Sequence, residues 1–206
     1  MSTPADPFTL ARWRRTIAAL YGKVREDVPD RVAQAAMFRR SRDALFRGGA
    51  QSPLPEARRR DYPGVPYYPY DPAWRVMGTI EPQAAGETFE IDLATDGALR
   101  VTKVGHASFS SLRGEATLAL FWMEGYGGGL WLPFSDATSG HATYGGGRYL
   151  YDTIKGADLG VNSGTIVLDF NYAYNPSCAY DAAWSCPLSP AENRLPFAVE
   201  AGEKVA

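Results

Sequence analysis

The chain has 206 residues, 45% of them hydrophobic and 21% charged, with a formal net charge of −2. Such a chain is long enough to bury a proper core and reads as an ordered, soluble protein, most simply one domain with an appended segment. No apolar run approaches the roughly 20 residues of a membrane span, and MSTPADPFTLARWRR lacks the apolar core of a secretory signal, so the expected compartment is the cytoplasm, with no membrane partner.

The net charge conceals an asymmetry. Residues 1–60 hold 13 Lys/Arg against 6 Asp/Glu, a balance of +7, which leaves −9 for the remainder. The simplest consequence is a basic head packed on an acidic body by complementary charge. The head carries mostly isolated arginines rather than lysine clusters interleaved with exposed aromatics, so nucleic acid is not the expected partner.

Taken in order, Asp6 and Pro7 open a helix that places Leu10, Trp13, Ile17, Leu20 and Val24 on one face and ends near Arg25. After Pro29, Asp30 caps a second helix carrying Val32, Ala36, Met37, Leu45 and Phe46, closed by Gly48 and Gly49. Residues 52–60 allow a further short turn of helix. Trp13 and Phe46 are expected to dock the helices by packing. The segment 61–74, DYPGVPYYPYDPAW, is too rich in proline for a helix and reads as an extended tether laying Tyr67, Tyr68 and Tyr70 on a surface.

Short runs of strand character follow at 75–81, 88–94, 99–104, 107–112, 116–123, 129–134, 148–152 and 165–171. In the second, Glu90, Asp92 and Thr95 alternate with Phe89, Ile91 and Leu93, the mark of a strand with one wet and one buried face. Residues 95–98, with Asp96 and Gly97, suit a tight hairpin turn, and Arg113 with Gly114 marks another. Close connections without an intervening helical pattern predict a mainly β protein, an antiparallel barrel or sandwich behind an N-terminal segment of two helices. The predicted division is 1–60 for the helical segment and 61–206 for the β-rich domain.

Polar chemistry concentrates from Phe134 to Asn193. Triple glycines at 127–129 and 145–147 would let a ligand approach the backbone, although neither has the lysine and hydroxyl of a phosphate loop. Arg148 either clamps an anion or pairs with Asp136 or Asp152. Asp169 and Asn171 share one face of a strand, where Asp169 is either a general base or a loop-bracing carboxylate. Asn175 and Asn193 read as loop braces. His106, His141, Cys178 and Cys186 would make a zinc set only if the fold united them; the 178–186 spacing is longer than a zinc knuckle, and two cysteines bracketing a loop are otherwise free thiols or one disulfide. Nothing adjacent in sequence gives either cysteine the low pKa of a nucleophile.

The strings FWMEGYGGGLWLPF (121–134), DATSGHATYGGGRYL (136–150), LDFNYAYNPSCAY (168–180) and CPLSPAENRL (186–195) resemble the bacterial domain-of-unknown-function family 1684, and the likeness extends to the Trp13 helix, to 38–46 and to Ser52-Pro53-Leu54. What the resemblance implies is a largely β protein of unassigned activity, without catalytic residues to transfer.

Three functions remain open. One is a binding module whose open end, built from the glycine loops and 175–193, holds a small polar or anionic ligand against Tyr144, Arg148, Tyr149, Asn171 and Asn175. Another is an acid/base enzyme, hydrolase-like, using Asp136 or Asp169 with His141. The third is an interaction or homo-oligomerisation module built on the helical head. No cofactor is implied.

Overall fold

The computed structural model describes residues 6–84, 86–93 and 97–205. Helix α1 (Pro7–Arg25) begins where Asp6 accepts the Phe8 N–H at 3.0 Å and Pro7 fills a first-turn position that needs no N–H. It buries Ile17, Leu20, Tyr21 and Val24, one stripe at helical spacing. Helix α2 (Arg31–Gly48) is capped by Asp30, which accepts the Ala33 N–H at 2.8 Å, and it closes with the Gly49 N–H on Leu45 O.

The buried face of α2 differs from the expected one. It consists of Gln34, Ala35, Phe38, Arg42 and Phe46, while Val32 is 60% exposed. Two polar side chains turn inward because each finds a partner. Gln34 Nε2 donates to Lys23 O at 2.6 Å, satisfying an end carbonyl of α1, and Arg42 Nε meets Glu203 at 2.5 Å. A short helix, α3 (Glu56–Arg59), lies within 52–60. The 61–74 segment runs extended beside the C-terminal tail: the Tyr68 N–H donates to Gly202 O, and the Lys204 N–H donates to Pro66 O.

Among the described residues eight strands form one antiparallel half-barrel: β1 (Arg75–Pro82), β2 (Thr88–Asp92), β3 (Ala98–Ser111), β4 (Gly114–Met123), β5 (Gly129–Phe134), β6 (Arg148–Asp152), β7 (Val161–Asn162) and β8 (Thr165–Asp169). Their order is β6-β5-β4-β3-β1-β8-β7, with β2 beside the other end of β3. The molecule is thus mainly β behind two helices, as the sequence predicts.

Two details depart from expectation. The strands predicted at 99–104 and 107–112 are one strand, β3, because Gly105 marks a bulge rather than a turn. A Cβ there would lie 2.5 Å from Glu81 O, and the pairing with β4 shifts register between Lys103 and Gly105. The bulge also exchanges faces: Val101 packs with Phe121 and Trp131, while Ala107 and Phe109 join the cluster that receives the helices. The two-residue strand β7 carries no sequence signal of its own. Of the predicted turn at 95–98, Thr95 and Asp96 lie outside the described residues, as does Ala94 at the end of the predicted second strand; Phe89 and Ile91 are half-buried there, while Glu90 and Asp92 are exposed.

The helices dock by aromatic edges and by charge. Tyr21, Phe38 and Tyr172 stack edge to face, with centroids 5.3 and 5.0 Å apart. Arg25 bridges to Asp158 at 3.4 Å and Arg42 to Glu203, so cations of the basic head meet acids of the body. Gly156 fixes the approach of α1 to the turn after β6: its φ is +88°, and a Cβ would lie 2.9 Å from Ala18 N. Gly156→Ala therefore combines left-handed strain with a backbone clash, and urea denaturation should show a loss of about 2–4 kcal/mol.

Candidate functional site

Arg148 and Asp136 form a fully buried ion pair at 2.7 Å. The same guanidinium donates to the carbonyls of Val199, Ala201 and Glu203, and it lies over the Phe134 ring. Asp136 also accepts from the Thr138 N–H and hydroxyl and from the Val199 N–H. This pair fastens the C-terminal tail to β6.

Asp169 and Asn171 brace the tether. Asp169 Oδ1 accepts the Asn171 backbone N–H at 3.2 Å and its side-chain amide at 2.9 Å, and Oδ2 faces Arg75 at 3.5 Å. Asn171 exchanges hydrogen bonds with the backbone of Asp71 at 2.8 and 2.9 Å. Burial raises the Asp169 pKa against the opposing pull of Asn171 and Arg75. His141 is exposed in the 138–143 turn, its backbone N–H on Thr138 O, and among the described residues neither Asp136 nor Asp169 bonds to it. His106 sits half-buried on β3 opposite Ala119. Among the described residues no three His, Cys, Asp or Glu side chains gather as a metal site, so His106, His141, Cys178 and Cys186 are not brought together. Asn193 does bridge strands: it bonds both backbone groups of Ala119 and donates to Pro133 O.

Of the other candidates, Tyr149 and Asn175 line a cavity of about 150 Å³ between the helices and the 174–184 loop. Its wall is aromatic, with Trp13 and Tyr21 from α1, Phe46 from α2, and Tyr174, Tyr180 and Trp184 from the loop. Among the described residues three cations line it, Arg14, Arg42 and Lys155, and no carboxylate does. Arg42 is held in place by Glu203 and by the rings of Phe46 and Tyr174, at 4.8 and 5.0 Å. Lys155, more than half exposed, pairs with Asp152 at 3.2 Å, and Arg14 is exposed. Asn175 donates from its backbone to Glu203 and from its side chain to Lys204 O, whereas its buried Oδ1 accepts no hydrogen bond from the described residues. Tyr149 OH donates to Pro187 O. Tyr144, Arg148, Asn171 and both glycine loops lie off this lining.

Glu203 was missed by sequence reasoning, and so was Arg42. Glu203 has no exposed surface and accepts from Arg42, Tyr67, Tyr180 and the Asn175 N–H. Arg42 had a legible signal: it stands midway between Phe38 and Phe46, four residues from each, a cation inside an apolar helical stripe. Nothing near Glu203 distinguishes it from a tail carboxylate. Removing Arg148 leaves Asp136 buried without its cation, so Arg148→Ala should lower stability by about 3–5 kcal/mol, read by thermal unfolding without any ligand.

Residues 60–204 match the family described as "Protein of unknown function (DUF1684)". The match leaves α1 and α2 outside, although the sequence resemblance included parts of both. An uncharacterized protein of Haloarcula marismortui, known from a solution NMR structure, is 35% identical; the alignment covers 84% of this chain and 92% of that one, with a TM-score of 0.60. That relative is archaeal, so the likeness reaches beyond bacteria. No curated protein matches the sequence. With the larger part of its length matched, this chain belongs to the DUF1684 family of proteins of unknown function.

Proposed function

We propose that the protein is a binding module and that its ligand is a small molecule with an apolar body about the size of one ring and an anionic group. The observation that carries this reading is the cavity lining, which among the described residues combines aromatic walls with three cations and no carboxylate. A volume near 150 Å³ suits a benzene-sized group, as in engineered apolar cavities. Arg14 and Lys155 are exposed and face an anion at the rim, while Asn175 Oδ1 offers an acceptor to a ligand donor. No helix among the described residues is long and apolar enough to cross a membrane, and we place the protein in the cytoplasm, where two unlinked thiols are at home.

3-Phenylpropionate should quench or shift the tryptophan fluorescence of Trp13 and Trp184, and 3-phenylpropanol should bind more weakly. Arg14→Gln should weaken carboxylate binding by about two- to fivefold, the range of an exposed ion pair. Equal affinity for acid and alcohol would remove the anionic part of the reading, and no response to either would remove the cavity.

The helical segment 1–60 serves in this reading as a wall of the cavity and not as a detachable head. Its deletion uncovers the aromatic and aliphatic side chains that receive α1 and α2. The 61–206 fragment is expected to lose cooperative unfolding by circular dichroism. A fragment that unfolds cooperatively, and still binds the acid, would make residues 1–60 a separate interaction or oligomerisation module.

A further inference from the structure

The cavity reading makes no use of the two thiols. Cys178 and Cys186 bracket a loop, and the fold returns the second sulfur to the start of that loop: the Cys178 N–H donates to Cys186 Sγ at 3.3 Å. Tyr144 OH donates to Cys178 Sγ at 3.5 Å. Both cysteines are unlinked and partly exposed. The Cys186 side chain is the largest influence drawing the Cys178 pKa down to about 6, with Tyr144 pulling the same way, while the neighbouring Cys178 side chain pushes Cys186 up. One sulfur is therefore available as a thiolate near neutrality and its neighbour retains its proton.

We infer that Cys178 and Cys186 form a reactive dithiol that exchanges with low-molecular-weight disulfides, Cys178 being the attacking sulfur and Cys186 the resolving one. Tyr144 is a positioning residue that steadies the Cys178 thiolate. The partial burial of both sulfurs favours a slender disulfide over a folded protein as the co-reactant. In the first step the Cys178 thiolate attacks one sulfur of RSSR; a Cys178–SR bond forms, the S–S bond of the reagent breaks, and RS⁻ leaves and takes a proton from solvent. In the second, Cys186 gives its proton to solvent and attacks Cys178 Sγ, closing the Cys178–Cys186 bond and expelling the second RS⁻, which is also protonated. From the thiolate form the protein loses two electrons and the Cys186 proton, solvent supplies one further proton, and RSSR becomes two RSH; counted from the dithiol, the protein loses two hydrogens. Closure requires the sulfurs to come to about 2.05 Å, and the Cys178 N–H already holds Cys186 Sγ beside the Cys178 backbone at 3.3 Å. The inference stands apart from the identity of any cavity ligand.

The test uses the full chain at pH 7 with oxidised glutathione, quenched by acid and read by intact mass and peptide mapping. The wild type should lose two hydrogens and yield a Cys178–Cys186 peptide that dithiothreitol reverses, forming faster under native conditions than in urea. Cys186→Ser should accumulate a glutathione adduct on Cys178, and Cys178→Ser should react about tenfold more slowly. Two persistent free thiols in the wild type, a stable adduct without the cross-link, or a cross-link that forms only in urea would overturn the proposal. Because the wild-type measurement decides alone, it holds even where a serine variant fails to fold.

Discussion

A carboxylate with no exposed surface is costly unless donors surround it, and Glu203 meets that condition with four donors drawn from three separate parts of the chain. Arg42 comes from α2, Tyr67 from the tether, Tyr180 from the loop after β8, and the Asn175 N–H from the backbone of that same region. Each donor reaches Glu203 only if its own segment is in place. Helix α2, the tether and the loop are therefore positioned jointly, and the cavity they help enclose depends on this one buried side chain at residue 203. Arg148 performs the matching task for the tail itself by collecting three of its carbonyls while paired with Asp136.

Much of the fold was legible because its signals are local. Asp6 with Pro7, and Asp30 after Pro29, set helix starts that the structure reproduces, and the runs 129–134 and 148–152 are strands at the predicted bounds. What escaped local reading was the role of Gly105. A glycine between two alternating runs looks like a break, yet here it lets the neighbouring strand pass at a distance that excludes a Cβ. The resulting bulge sends Val101 and Ala107 to opposite faces, so the alternation predicts two strands where one strand changes sides. The buried face of α2 escaped for a related reason. Hydrophobic periodicity ranks Val32 above Arg42, whereas the fold ranks them by available partners.

The site was less legible. Sequence reasoning drew the eye to a dense polar run, and much of that run is fastening: Asp136 with Arg148, Asp169 with Asn171, and Asn193 between β4 and β5. Buried polar groups that satisfy one another resemble, in a linear string, groups waiting for a ligand. The cavity arises from residues far apart in sequence, such as Trp13, Phe46, Tyr149 and Trp184, and no motif announces their convergence. The low pKa of Cys178 was equally hidden, since it comes chiefly from a thiol eight residues away and then from Tyr144.

Relative magnitudes also say how a ligand would sit. Arg42 is the most enclosed of the three cations in the lining, and an anion entering the cavity would compete with Glu203 for it. Stripping a buried carboxylate of its cation costs about 3–5 kcal/mol, whereas an exposed ion pair returns at most about 1 kcal/mol. A ligand anion therefore cannot profitably displace Glu203 from Arg42. Its charge belongs at the rim, beside Arg14 and Lys155, with the apolar body turned inward against the aromatic wall. On the proposed reading, Arg42, held by Glu203 behind the lining, would bound the space open to the apolar body, and recognition of charge would fall to the exposed cations.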